Sequence, residues 1–121
     1  MACKILVVDS EPRILRFLCL RLRGSGYEVI SSTRGDEAIE LARSARPDMV
    51  LLAMIMPGMD GFEVLQKIRY FSSVPIIAMS RVLENADKAM SLGANGFVAK
   101  PFDLDSLVSR IVSLLETGPE K

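Results

Sequence analysis

The side chains that could carry chemistry in this chain stand directly after short apolar runs. They are a set of carboxylates, hydroxyls and one ammonium group: Asp9, Ser10, Glu11, Ser80 and Lys100. Carboxylate oxygens bind hard cations, and a lysine beside them can pair with a carboxylate or with a bound anion. If the apolar runs are parallel strands, these side chains lie at the edge of the sheet where ligands bind.

The absence of histidine narrows the chemistry further. None of the 121 residues is a histidine, which removes the usual general base, the common zinc ligand and every Ser/His or Cys/His nucleophile pair. Cys3 and Cys19 are too few for a disulfide framework and match no metal-ligand spacing, so we expect buried free thiols. We therefore predict that the protein is not an enzyme.

Length and charge favour a single domain that contacts neither nucleic acid nor membrane. A chain of 121 residues and 13.3 kDa has the size of one domain. Fifteen basic residues balance fifteen acidic ones, so no net field draws the chain to nucleic acid or anionic lipid. No apolar run approaches the roughly 18 residues of a membrane span, and we interpret the first residues as leading into a strand rather than as a signal peptide. We predict a cytoplasmic protein without direct nucleic-acid or membrane contact.

Five short apolar runs alternate with stretches of helical spacing. The runs cover residues 5–8, 27–30, 49–52, 76–79 and 97–99. Four of them lack polar alternation, which is typical of parallel strands covered on both faces, whereas 27–30 is mixed and suits an edge. The repeated strand–helix order predicts an α/β fold, a doubly wound five-stranded parallel sheet with helices on both faces.

Capping residues indicate where two helices begin and where the domain ends. Asp60 with Glu63 resembles a capping pair, and Asp103 precedes a stripe of leucine, valine and isoleucine at helical spacing. Gly118 and Pro119 follow that stripe and favour its end. We predict one domain over residues 1–116, with residues 117–121 as a tail or the start of a linker.

Four motifs together resemble one known family. They are Lys4-Ile5-Leu6-Val7-Val8-Asp9, Met56-Pro57-Gly58-Met59-Asp60-Gly61, Pro75-Ile76-Ile77-Ala78-Met79-Ser80, and Gly93-Ala94 followed by Val98-Ala99-Lys100-Pro101-Phe102. In order and spacing they resemble the receiver domain of bacterial two-component response regulators, from Lys4 to about Leu115. The resemblance implies a flavodoxin-like (βα)5 fold with sheet order 2-1-3-4-5, and a role in phosphorelay signal transduction.

The chain departs from that family at the site of phosphorylation. The resemblance implies an aspartate at the end of the third strand that takes a phosphoryl group from a histidine kinase, assisted by Mg²⁺, but the corresponding residue is Ala53. A methyl group can neither attack phosphorus nor bind a metal. Ser10 replaces the usual second acid, so only Asp9 and the carbonyl of Ile55 remain as metal ligands. We expect weak or absent Mg²⁺ binding and no cofactor.

The remaining positions of the site have structural alternatives. Lys100 resembles the family's phosphoryl-binding lysine, but without an acid at Ala53 we expect it to pair with Asp9. Ser80 resembles the hydroxyl that moves toward a phosphoryl group, and it equally suits a helix cap. Glu11 could supply a displaced metal carboxylate, although an acid in the first turn of a helix is the simpler interpretation.

A second surface of the family is also altered. Phe97 occupies the position of the switch aromatic residue, where packing is its expected role. Transcription-factor members often carry two acids before that residue and pair them with basic residues across a dimer, but this chain has Asn95 and Gly96 there. Lys88 and Arg110 remain as candidate basic partners. A homodimer through this face is a hypothesis without the charges that would set its register.

These observations predict a receiver module that does not accept phosphate and acts by protein contact with a sensor kinase, an effector domain or another regulator. One alternative is an ordinary receiver whose acceptor aspartate was changed to Ala53 in the laboratory, although a single designed change does not explain Ser10. A remote alternative is a flavodoxin-like enzyme or flavin carrier. The chain lacks a glycine-rich phosphate loop after the first strand and has no tryptophan to stack on a flavin.

Overall fold

Strands and helices alternate strictly along the chain. A computed structural model describes residues 3–117. In order, its elements are β1 (Lys4–Val8), α1 (Pro12–Gly24), β2 (Glu28–Ser32), α2 (Gly35–Ser44), β3 (Met49–Ala53), α3 (Gly61–Arg69), β4 (Ile76–Ser80), α4 (Asn85–Ser91), β5 (Gly96–Ala99) and α5 (Leu104–Thr117). The first and last residues of each predicted strand differ by at most two positions from those of an observed strand.

All five strands form one parallel sheet in the order β2-β1-β3-β4-β5, which confirms the predicted topology. Every residue of β3 and β4 is buried, as is β1 apart from Lys4. Helices on both faces leave these central strands no solvent side, and this explains their continuous apolar sequence. The edge strand β2 instead mixes buried, half-buried and exposed positions.

The helices pack against the sheet through apolar stripes. Leu18 and Leu22 of α1 and Leu107 and Ile111 of α5 are almost fully buried in the core. Burial of such a stripe, rather than helix propensity alone, stabilises helices of 7 to 14 residues.

Both predicted caps are confirmed. Asp60 Oδ1 accepts the backbone N–H of Glu63 at 3.0 Å at the start of α3, and Asp103 Oδ2 accepts the N–H of Ser106 at 3.2 Å at the start of α5. The predicted stop at Gly118 and Pro119 and the predicted tail, residues 117–121, lie outside the described residues except for Thr117, which ends α5.

The cysteines are free, as predicted, but only one of them is buried. Cys19 lies in the core on α1, whereas Cys3 is half-buried beside the start of β1, so the expectation of two buried thiols is wrong for Cys3. Within residues 3–117, no helix has the length and apolar character needed to cross a bilayer.

Candidate functional site

The carboxyl ends of the strands bring the predicted polar residues to one edge of the sheet. Because Val8 pairs with Leu52, and Ala53 with Met79, the ends of β1, β3 and β4 are level with one another. Asp9 directly follows β1, and Lys100 directly follows β5, which itself pairs with the end of β4. Parallel register therefore gathers residues that are about 90 positions apart in the sequence.

Asp9 and Lys100 form a buried ion pair. Lys100 Nζ donates to Asp9 Oδ2 at 2.7 Å, and the two side chains are only 5% and 1% exposed. The second carboxylate oxygen, Asp9 Oδ1, accepts the backbone N–H of Glu11 at 3.0 Å. Both oxygens of Asp9 therefore have partners, as a buried charge requires. The predicted Asp9–Lys100 contact is observed.

Glu11 extends this ion pair toward the surface. Its Oε2 accepts a hydrogen bond from Lys100 Nζ at 3.3 Å, and its two oxygens accept from the guanidinium of Arg81 at 2.9 and 3.1 Å. The hydrogen bond from Arg81 is the main cause that lowers the pKa of Glu11; partial burial opposes it and Lys100 adds to it. Glu11 occupies the N-cap position before α1 and its side chain makes no capping hydrogen bond. Its interpretation as an acid in the first turn of the helix is therefore wrong.

Ala53 ends β3 with a buried methyl group, in the position where the family resemblance predicts a phosphoryl acceptor. The backbone around it is tightly packed, since Gly61 N donates to the carbonyl oxygen of Met54 at 2.8 Å. A Cβ at Gly61 would lie 2.5 Å from Met54 Cα and would also clash with the carbonyl of Ala53. Close backbone contact with α3 therefore fixes the end of β3.

The donor set for a cation at this edge is poor. Asp9 is the carboxylate nearest the strand ends, and its oxygens already accept from Lys100 and from the Glu11 amide. Ser10 is half-buried and neutral, and Ile55 can offer only its backbone carbonyl. Among residues 3–117, no three His, Cys, Asp or Glu side chains are grouped in a way that could hold a metal ion. These residues do not fit the Mg²⁺ that the family resemblance implies.

Ser80 organises the turn between β4 and α4. Its buried Oγ accepts the backbone N–H of Val82 at 3.0 Å and the side-chain amide of Asn85 at 2.9 Å. The residue that caps α4 is Glu84, which makes no side-chain capping bond. Ser80 therefore closes the β4–α4 turn through a local side-chain-to-backbone bond and does not cap the helix.

Arg110 lies across β5 within its own chain. Its Nη1 donates to the carbonyl oxygen of Phe97 at 2.8 Å, and a Cβ at Gly96 would lie only 2.6 Å from its Nη2. The missing side chain at Gly96 thus makes room for the guanidinium. Phe97 itself is half-buried and packs against the core, in agreement with its expected packing role.

The other two residues proposed for a dimer face also have contacts within the chain. Asn95 Oδ1 accepts the N–H of Ile76 at 2.9 Å and Nη2 of Arg69 at 3.0 Å. Lys88 Nζ lies 4.3 Å from the centroid of the Phe62 ring, in a cation–π contact. All three side chains proposed for a dimer face therefore have partners within the chain.

Two arginines of functional interest were missed by reasoning from the sequence. Arg81 follows Ser80 directly, and its position after β4 could have placed it at the same edge as Glu11. Arg69 is half-buried and donates twice to the carbonyl oxygen of Gly93. This burial lowers the pKa of Arg69. No motif signals its partner, because the contact depends on how α3 packs beside the end of α4.

Known proteins resemble this chain in sequence. The probable transcriptional regulator ycf27 of Porphyra purpurea is 43% identical over 114 residues, covering 93% of this chain and 47% of that protein. The DNA-binding response regulator MtrA of Mycolicibacterium smegmatis is 35% identical over 123 residues, covering 100% of this chain and 54% of that protein. The chain thus spans about half the length of the curated relatives it matches.

Solved structures and a family model resemble the chain over most of its length. The chemotaxis response regulator CheY4 of Vibrio cholerae superposes with a TM-score of 0.86 at 29% identity, covering 94% of this chain and 99% of that one. Residues 5–112 match the family model described as the response regulator receiver domain. The chain belongs to the family of response regulator receiver domains of two-component signalling systems.

Proposed function

We propose that this receiver domain signals without accepting a phosphoryl group and acts by protein contact. The observation that carries the proposal is Ala53, whose buried methyl group ends β3 where the family motif calls for an aspartate. No acyl phosphate can form on a methyl group. Lys100 already has a buried carboxylate partner in Asp9, so the chain does not need a phosphoryl group to satisfy this charge.

The same geometry supports weak or absent Mg²⁺ binding. A hard cation that dehydrates reluctantly needs several oxygen ligands, and here it would have to displace Lys100 from Asp9. Ser10 adds only a neutral hydroxyl. The domain has no other group that we assign to catalysis, and we propose that it is a binding module without enzymatic activity.

Protein partners follow from the longer relatives. MtrA is named as a DNA-binding response regulator, and this chain covers about half of it. We propose that the corresponding segment here regulates by contact with an effector domain, a sensor kinase or another regulator. Balanced charge over the 121 residues gives no support to direct nucleic-acid binding by this segment.

The experiment that tests phosphate independence is incubation with acetyl phosphate and Mg²⁺, and in parallel with beryllium fluoride and Mg²⁺. We expect an unchanged intact mass and unchanged backbone NMR shifts. The matched control is the double variant Ser10→Asp/Ala53→Asp, which restores both missing carboxylates and should recover an adduct. Ala53→Asp alone should recover less, because Ser10 still weakens the metal site.

Two results would contradict this account. A stoichiometric adduct on the unaltered chain would overturn phosphate independence outright. Equal adduct formation by Ala53→Asp and by the double variant would show that Ser10 does not limit the metal site.

A further inference from the structure

One carboxylate at this edge of the sheet is bound by two cations from distant parts of the chain. Glu11 receives one hydrogen bond from Lys100, at the end of β5, and two from Arg81, in the β4–α4 turn. Glu11 itself precedes α1. Three separate connections of the fold therefore meet at one side chain.

The contacts of Glu11 are those of a bound anion. Its carboxylate accepts from an ammonium and, through both oxygens, from a guanidinium, and it does not cap α1. Bidentate pairing with arginine is among the stronger and more directional hydrogen-bond arrangements in proteins. Lys100 is 5% exposed while Glu11 is 38% exposed, so the site runs from the buried pair outward to solvent.

We propose that Lys100 and Arg81 form a carboxylate-binding site, that Glu11 is its built-in ligand, and that this bond holds the β4–α4 turn against the start of α1. The inference rests on the proposed function in one respect, since it takes Lys100 to have no phosphoryl group to bind. The resting position of the turn is then set by a ligand within the chain. An exogenous carboxylate can replace that ligand when Glu11 is removed.

Three hydrogen-bonded amides in the β4–α4 turn and at the start of α4 report the opening of this turn. Val82 N donates to Ser80 Oγ, Asn85 N donates to the carbonyl oxygen of Val82, and Ala86 N donates to that of Leu83. Hydrogen exchange at these amides rises when the turn opens. Their exchange rates therefore report whether the Glu11–Arg81 contact keeps the β4–α4 turn closed.

The first test compares hydrogen exchange in the unaltered chain, Glu11→Gln and Arg81→Gln. A partly exposed charge pair shifts an equilibrium by about two- to fivefold, and we expect exchange at the three amides to rise by that factor in each variant. The double variant should exchange no faster than Glu11→Gln alone, because that change already removes the ion pair with Arg81. The control is Asp36→Asn, which breaks the exposed Arg34–Asp36 pair within one short segment and should leave these amides unchanged.

The second test asks whether the site binds a carboxylate. In Glu11→Ala, excess acetate should return the three exchange rates toward those of the unaltered chain, whereas sodium chloride at equal ionic strength should not. The same acetate should have no effect in Glu11→Ala/Arg81→Gln, which lacks the guanidinium.

Unchanged exchange in Glu11→Gln, with the fold intact by circular dichroism, would overturn the proposal. So would equal effects of acetate and chloride, since screening would then account for the recovery. Neither result bears on phosphate independence, because no phosphoryl donor is present in these experiments. An adduct with acetyl phosphate would instead contradict the proposed function and leave the exchange results standing.

Discussion

Two regions of the molecule each hold a cation, one at the carboxyl ends of the strands and one along β5. At the strand ends, Lys100 pairs with the carboxylates of Asp9 and Glu11. Along β5, Arg110 lies beside Gly96 and donates to the carbonyl oxygen of Phe97. Lys100 therefore has charged partners, whereas the partner of Arg110 is a neutral carbonyl.

Burial explains the difference. The Lys100 side chain is 5% exposed, and an ammonium group removed from water requires a counter-charge to remain ionised. Arg110 is exposed, so water satisfies its remaining donors and a single carbonyl suffices. A cation in the core of this domain therefore needs charged partners, whereas one at the surface does not.

The largest effect is expected from breaking the buried pair. Lys100→Met leaves the carboxylate of Asp9 buried without its counter-charge, and we expect the free energy of unfolding to fall by about 3–5 kcal/mol. Urea denaturation monitored by circular dichroism measures this loss. Lys67→Met, at an exposed lysine of α3, is the control and should stay within about 0.5 kcal/mol of the unaltered chain.

The second variant of this pair separates charge from packing. Asp9→Asn/Lys100→Met removes both charges, and it should recover a substantial part of the stability lost in Lys100→Met, because no uncompensated charge remains. If the double variant is as unstable as Lys100→Met, the lost stability comes from packing around Lys100 and not from its charge. That result would contradict the explanation of the difference between Lys100 and Arg110 by burial.

Substitution of two glycines tests the same difference between a tightly packed and a solvent-exposed part of the molecule. A Cβ at Gly61 would meet the backbone of Ala53 and Met54, whereas a Cβ at Gly96 would meet the end of the Arg110 side chain. We expect Gly61→Ala to lower the free energy of unfolding by about 2 kcal/mol or more, because neither strand nor helix can shift freely. Gly96→Ala should cost less than about 1 kcal/mol, since the guanidinium can move aside. Comparable losses in urea denaturation would contradict this difference.

The smallest effect is expected at the surface cation. Arg110→Ala removes a partly solvated hydrogen bond to Phe97, and it should change the free energy of unfolding by about 0.5 kcal/mol or less. The backbone amide shifts of β5 should nevertheless move, because the Phe97 carbonyl loses its guanidinium partner. A loss as large as that of Lys100→Met would show that exposure does not govern the compensation.

Much of the fold was predictable because it depends on local and periodic signals. Continuous apolar runs located β3 and β4, and the caps at Asp60 and Asp103 depend on residues three positions apart. The contact of Asp9 with Lys100 was also predictable, since parallel strands end at the same edge. The pairing of Glu11 with Arg81 was not, because it joins two turns 70 residues apart whose paths no local pattern specifies.

The sequence by itself determined the alternation of strands and helices, the alanine at the end of β3 and the lack of any histidine, because these are properties of residue identity and spacing. Only the tertiary structure decided which acceptors Lys100 and Arg110 contact. That choice depends on distances of about 3 Å and on exposure to water, and both arise from how turns and helices pack around the finished sheet.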